Sequence, residues 1–237
     1  MPVFVQTGYA RIVKEGHTYI CTDRACPVSK SIIIYTMETL NKQYWTQRYA
    51  DKQTGWDIGA PSPPLAEYAS QLPKDTKTLI PGAGNGHEAV FLWKEGYKNI
   101  YVLDISEAPL QAIQEQLPDF PKAQLIQADF FDYQAQQFDV ILEQTFFCAL
   151  NPSLRSAYVS HVHELLKPQG KLAGVLFNIP LNTDYPPFGG SAEEYRPLFE
   201  PYFTFKHWET CHNSIPPRAG NELFICLEKK QNAAFAS

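Results

Sequence analysis

The sequence predicts an α/β fold built on a doubly wound, mostly parallel sheet, and two observations carry that expectation. The first is Thr78-Leu79-Ile80-Pro81-Gly82-Ala83-Gly84-Asn85-Gly86-His87-Glu88, where a short β-rich run ends in three glycines at alternate positions. A helix-compatible segment, Ala89 to Glu95, follows. Glycine is needed where the backbone turns with φ > 0 or where a ligand must approach it closely. A strand leading through a glycine turn into a helix N-terminus is the first unit of a nucleotide-binding sheet. The second observation is Lys98-Asn99-Ile100-Tyr101-Val102-Leu103, a β-prone run ending at Asp104. Its carboxylate lies roughly 20 residues beyond the glycines, the spacing at which an acid accepts hydrogen bonds from ribose hydroxyls.

In chain order, residues 1–36 stand apart. They lack an amphipathic period, carry a slight excess of Lys and Arg, and end in Ser31-Ile32-Ile33-Ile34-Tyr35. A signal peptide would need a longer apolar core and a small-residue cleavage site. Met37 is read as the functional start, with residues 1–36 an appendage (a small hairpin or a loose arm), 37–230 the main domain and 231–237 a tail. The rival reading of residues 1–36 is a real lid. Glu38 to Lys52 reads as a helix rich in aromatics: Tyr44, Trp45, Tyr49. Gly55 to Pro64 is a loop stiffened by φ-restricting prolines. Ser62 is expected to cap a helix from Pro63 to Gln71, with Pro63 at its first position.

After the two strands already described, Ala123 to Ala128 reads as a third, ending at Asp129-Phe130, and Phe138 to Glu143 as a fourth. Pro152 to Leu166 reads as a helix. Lys167-Pro168-Gln169-Gly170 is a turn before a fifth strand, Leu172 to Phe177. A Pro/Gly-rich loop from Asn178 to Ser191 precedes a short helix near Ala192 to Phe199. Two late β runs follow, Phe203 to Trp208 and Glu222 to Glu228, expected to be antiparallel.

The glycine spacing narrows the cofactor. A dinucleotide fingerprint wants G-x-G-x-x-G, and here the third glycine comes one position early; a Walker loop needs G-K-[ST], and Asn85-Gly86-His87 has no lysine. A cofactor with adenosine but no pyrophosphate remains, and S-adenosylmethionine fits. These landmarks, in this order, resemble a class I S-adenosylmethionine-dependent methyltransferase. The resemblance implies a Rossmann-like doubly wound sheet of seven strands with an N-terminal helical lid.

Composition bounds the alternatives. A chain of 237 residues, 44% hydrophobic and 19% charged, suits one globular domain of this class. The net charge of −5 and scattered Lys and Arg argue against a nucleic-acid partner. No apolar run is long enough to span a membrane. The five cysteines (Cys21, Cys26, Cys148, Cys211, Cys226) are odd in number and scattered, which points to reduced thiols in the cytoplasm. Cys21 and Cys26 lack a second close pair, so no metal is expected. The expected partner is a small-molecule acceptor, the chain acting as a monomer or homodimer.

A closer resemblance follows from Tyr44-Trp45, Tyr49, Trp56-Asp57-x-Gly59-x-Pro61, Ile80-Pro81-Gly82-x-Gly84-x-Gly86-His87-Glu88 and Phe146-Phe147-Cys148-Ala149-Leu150. Together these resemble the thiopurine methyltransferase family, and within it the plant-type thiol and halide methyltransferases, over roughly residues 38–230. The resemblance implies that Trp45, Tyr49 and Trp56 close over the cofactor, where a sulfonium is attracted to aromatic faces. The alternative is that they are ordinary core aromatics. It also implies that Gly82 and Gly84 lie against the cofactor, Asp104 on the ribose, Asp129 and Phe130 on the adenine, and Glu143 near the cofactor's amino group.

On the acceptor side, Glu143-Gln144-Thr145-Phe146 lacks the N-P-P-Y-like element of many amino-methylating enzymes. An aromatic pocket of Phe146 and Phe147 suits a soft nucleophile such as a thiolate, sulfide, a selenium or tellurium species, or iodide. The alternative is that both rings pack under the next helix. Plant-type relatives tend to have a tyrosine in a G-G-P-P-Y-like loop; here Tyr185-Pro186-Pro187-Phe188 places Phe188 there. Arg218 sits where relatives carry a basic residue near the pocket mouth, and it is either an anion attractor or a surface arginine. Cys148 is read as a small buried residue and His87 as capping or packing. Methyl transfer needs alignment and exclusion of water more than a strong base, so no catalytic residue is assigned. An oxygen- or nitrogen-directed methyltransferase and a non-catalytic cofactor-binding protein are the alternatives.

Overall fold

A computed structural model of the chain describes residues 40–134, 137–182 and 184–231, together with strands at 5–6, 9–14 and 17–21. It divides into two compact units, Met1–Thr39 and Leu40–Ser237. In the first, β1 (Val5–Gln6), β2 (Tyr9–Lys14) and β3 (His17–Cys21) form an antiparallel sheet in that order. The Ser31 to Tyr35 run, Cys26 and Met37 lie outside the described residues.

The second unit opens with α1 (Lys42–Ala50) and α2 (Pro63–Ser70). Alternating elements follow: β4 (Thr78–Pro81), α3 (His87–Lys94), β5 (Ile100–Asp104), α4 (Glu107–Gln116) and β6 (Leu125–Gln127). After them come β7 (Phe138–Gln144), α5 (Phe146–Ala149), α6 (Arg155–Leu165), β8 (Leu166–Phe177), α7 (Ala192–Phe199), β9 (Phe203–Thr210) and β10 (Glu222–Lys229). The sheet order is β6-β5-β4-β7-β8-β10-β9. Strands β4 to β8 pair in parallel, and β10 is antiparallel to both β8 and β9.

The chain enters the sheet at its centre, builds outward to β6, then returns to lay β7 against the other side of β4. Such a reversal opens a crevice at the carboxyl ends of the central strands, where ligands bind. β4 is buried along its whole length, as a strand covered on both faces must be. Successive residues serve opposite faces: Leu79 and Leu172 join one apolar core with Tyr158, Phe199 and Ile225, while Ile80 and Ala173 join the other with Val90, Trp93 and Ile113.

Several local expectations change. α1 begins at Lys42 and is over by Lys52, whose φ of 55° is left-handed. Ser62 makes no side-chain cap; its N–H goes to Glu88 Oε1 at 2.9 Å. The expected Pro152 to Leu166 helix is a 3-10 turn, Pro152–Leu154, followed by α6. β8 starts at Leu166, because the turn is absorbed as a register shift in its pairing with β7, with Gln169 at φ 64°. Only β10 is reversed, so β9 runs with the parallel strands. Among the described residues no helix is long and apolar enough to cross a membrane.

Candidate active site

The glycine turn has the conformation its residues imply. Gly82, Gly84 and Gly86 have φ of 65°, 55° and 74°. At Gly82 and Gly86 the hydrogen in place of Cβ also has a steric use. A Cβ on Gly82 would run into the Phe146 ring, one on Gly86 would lie 2.7 Å from Ile113 Cδ1 of α4, and one on Gly84 would stand 3.7 Å from Trp56 Nε1. The third glycine therefore serves helix packing, Gly82 admits the Phe146 ring against the backbone, and Gly84 leaves the turn open beneath Trp56.

Asp104, the last residue of β5, is nearly enclosed. Its Oδ2 accepts Ala83 N–H at 3.0 Å and its Oδ1 accepts Ser106 N–H at 2.8 Å. Burial pushes its carboxyl up to about 6, although the amides of Ser106, Ala83 and Ile105 pull the other way. A carboxylate has about four acceptor sites, so these amides leave capacity unused. The carboxylate thus ties the glycine turn to β5 and still has acceptor capacity for a diol.

The N-terminal aromatics gather above this turn. Trp56 meets Trp45 and Tyr49 edge-on, with centroids 5.7 and 5.8 Å apart. Thr46 Oγ1 lies 3.2 Å from Ser106 Oγ, bringing α1 to the start of α4. Burial, with the nearby Asp104 and Asp57 carboxylates, drives the Tyr49 hydroxyl far above the usual tyrosine range, so it stays protonated. Between the Trp56 loop and the turn lies a shallow open cleft lined by Trp56, Asp57, Gly84, Asn85, His87 and Gln144 among others.

Other expected residues lie elsewhere. Glu143 is wholly buried; its Oε1 accepts Phe147 N–H at 3.0 Å and its Oε2 the Tyr158 hydroxyl at 2.7 Å. Both oxygens face the protein interior, a poor fit to a cofactor amine. Phe130 is enclosed by Phe131, Phe146, Tyr158 and His161, stacking on Tyr158 with centroids 5.4 Å apart. Phe147 is buried against Tyr158, Tyr195 and Phe199. Phe188 is buried, its N–H bonded to the Cys148 carbonyl at 2.7 Å. These three rings are wall and core, for the plain reason that other side chains already cover them. Phe146 is the half-buried member, against Gly82. Asp129 is exposed and accepts Phe131 N–H at 2.9 Å. Arg218 is no free surface arginine. Its Nη2 donates to the Trp56 carbonyl at 2.6 Å and its Nη1 to Glu222 at 3.2 Å. Cys148 is buried and burial pushes its thiol up to about 12, which removes it as a nucleophile.

Two features had little or no signal along the chain. Asp57 accepts from Gly59, Asn85 and His87, joining two motifs 28 and 30 residues apart. Only their co-occurrence in one sequence hinted at a link. Arg155 is buried, with Nη2 donating to the Phe188 and Gly189 carbonyls at 2.6 and 2.8 Å and the guanidinium 4.8 Å from the Phe147 ring. Among the described residues no carboxylate pairs with it, and its Nε has no partner.

A sheet of this order, with an open glycine turn after its first strand and a carboxylate ending the second, is that of a class I S-adenosylmethionine-dependent methyltransferase. The chain belongs to the thiopurine S-methyltransferase family, whose sequence model matches residues 40–230. It is 29% identical over 203 residues to Thiocyanate methyltransferase 1 of Arabidopsis thaliana, covering 83% of this chain and 88% of that protein. It is 31% identical over 186 residues to Probable thiol methyltransferase 2 of the same plant, covering 75% and 81%. Among solved structures, 1,6-didemethyltoxoflavin-N1-methyltransferase of Burkholderia thailandensis, with bound S-adenosylhomocysteine, matches at a TM-score of 0.67 and 16% identity over 96% of this chain and 98% of that one. That likeness shows the fold. The chain is therefore an S-adenosylmethionine-dependent methyltransferase.

Proposed function

We propose that the acceptor is a small thiol or a soft inorganic anion of similar size, taken up in ionised form. The observation that carries this reading is Arg155, a buried cation that has no carboxylate partner among the described residues, set behind an otherwise aromatic wall. Carbonyl bonds and ring contacts offset only part of the cost of burying a charge, and an anion arriving nearby offsets more of it. The names of the two plant relatives, a thiocyanate and a probable thiol methyltransferase, agree with such an acceptor.

In this reading Asp104 accepts the ribose hydroxyls, Gly82 and Gly84 give the cofactor room, and Trp56, Trp45 and Tyr49 cover it and exclude water. Asp129 is placed near the adenine. The bound cofactor supplies an electrophilic methyl on a good leaving group. Phe146 borders the line of approach, and Gln144 is the polar residue at its edge. A thiol of ordinary pKa is already a few per cent thiolate at neutral pH, so alignment does most of the catalysis. Net charge of −5 and the free buried Cys148, Cys211 and Cys226 support work on small molecules in a reducing compartment, the cytoplasm, without nucleic acid. We take the working unit to be a monomer or homodimer, which sedimentation decides.

Measuring S-adenosylhomocysteine release with a panel of thiols, sulfide, thiocyanate, halides, phenols and amines tests the reading. Turnover is expected with the sulfur acceptors first. Faster turnover of a phenol or an amine than of its sulfur analogue overturns it in favour of oxygen or nitrogen methylation.

A further inference from the structure

The stretch from Trp56 to Ser62 is fastened at both ends, to the 3-10 turn Pro216–Arg218 and to α3. At its start, Arg218 Nη2 holds the Trp56 carbonyl at 2.6 Å. At its end, Glu88 Oε1 holds Ser62 N–H at 2.9 Å. Between them stands the Asp57 carboxylate. Its Oδ1 accepts Gly59 N–H at 2.8 Å, closing its own loop, and His87 Nε2 at 2.7 Å, at the first residue of α3. Its Oδ2 accepts Nδ2 of Asn85 within the glycine turn. Three donors on two oxygens favour the ionised carboxylate. Burial opposes ionisation, but the Gly59 amide, His87 and Asn85 outweigh it and hold the carboxyl below the ordinary aspartate range.

Trp56 needs such a fastening. Its ring is only half-buried. The ring partners it has are Trp45, Tyr49 and the Arg48 guanidinium at 5.7 Å, all from α1. α1 itself has no fully buried residue and is held to the start of α4 through Thr46 and Ser106, so it gives the indole only partial support. The firm contacts run through the backbone on either side of the indole to Arg218 and Asp57.

We propose that Asp57 is a positioning residue for methyl transfer, fixing the Trp56 indole over the glycine turn by bonding Asn85 and His87. The proposal rests on the lid role of Trp56 given above. An aromatic face attracts a sulfonium when it is held in place; the thioether product carries no such charge. A fixed indole therefore favours S-adenosylmethionine over S-adenosylhomocysteine, and a loose one does so less. That ratio is a readout that a general loss of stability does not move.

The test measures both affinities by calorimetry on the full chain and four variants: Trp56→Leu, Asp57→Asn, the two combined, and the exchange Asp57→Asn with Asn85→Asp. The exchange swaps donor and acceptor on one bond while leaving an oxygen at position 57 for Gly59 and His87. Trp56→Leu is expected to lower the preference for S-adenosylmethionine about tenfold, the size of one strong cation–aromatic contact. Asp57→Asn should lower it by a similar factor, the combination should do no more than Trp56→Leu alone, and the exchange should recover most of the preference. Thermal melting without ligand checks folding; if Asp57→Asn does not fold, the exchange variant and His87→Leu, which removes the donor on α3, carry the comparison. An unchanged preference in Trp56→Leu removes the lid reading and the proposal with it. A loss in Trp56→Leu with none in Asp57→Asn, or losses that multiply in the combination, overturns the proposal and leaves the lid reading standing.

Discussion

The hydroxyl of Tyr158 donates to Oε2 of Glu143 at 2.7 Å, inside a core that no solvent reaches. Burial raises the Glu143 carboxyl from 4.5 to about 7, against the pull of Tyr158 and the Phe147 and Phe146 amides. The sign of the consequence follows from linkage. Below about pH 4.5 the group is protonated in both folded and unfolded chains. From there to about 7 the unfolded chain releases its proton while the folded one keeps it, so stability drains away as pH rises. The wild-type melting temperature should fall across this window more steeply than that of Glu143→Gln. Asp104, raised to about 6, adds a similar slope to both proteins and cancels in the comparison. Parallel curves would show that Glu143 titrates alike in both states.

Asp104 has a double duty, so its removal should be felt twice. Asp104→Ala strands the buried N–H groups of Ala83 and Ser106, and an unsatisfied buried donor costs about 1–3 kcal/mol. The variant should melt several degrees lower before any ligand is added. It should also bind S-adenosylmethionine at least tenfold more weakly, since charge-assisted bonds to the ribose are lost. Calorimetry giving wild-type affinity, in a variant that still folds, would sink the ribose assignment.

A chain that begins at Met37 should express, fold and bind cofactor as the full chain does. The unit Leu40–Ser237 contains the complete seven-stranded sheet and every site residue discussed here. Aggregation, or an affinity loss beyond about tenfold, roughly 1.4 kcal/mol, would make residues 1–36 a working part of the enzyme.

For acceptors that arrive already ionised, rate should follow the acceptor's own titration. With a series of thiols of falling pKa, the apparent pH optimum should move down with the thiol rather than stay at one side-chain value. A thiophenol should outrun the matching phenol by orders of magnitude. A single pH profile shared by all acceptors would reveal a protein base.

What the sequence disclosed and what it withheld divide on physical lines. Positions where the backbone itself is special were legible: the glycines after β4, Asp104 at the end of β5, Pro63 opening α2. Each follows from local geometry or from spacing along one βαβ unit. Residues whose role depends on who surrounds them were not. Phe130, Phe147 and Glu143 sit at strand and helix ends that border a cleft, yet their neighbours from α6 and α7 close over them. Which face of Phe146-Phe147 looks outward is set by a helix four residues long, too short to show a period. Asp57 and His87 were read in separate motifs, and nothing in one dimension tells an exposed loop acid from a hub with three donors.

The order of strands bears on how the chain is made. β9 is synthesised before β10, but β10 lies between it and β8. When β9 leaves the ribosome it has no neighbour to pair with, and Phe203, Phe205 and Trp208 have no finished wall to rest on. At about 5–20 residues per second, the gap before Lys229 emerges is brief but not instantaneous. In that interval the nascent chain presents an unpaired strand whose three aromatic rings alternate with polar residues.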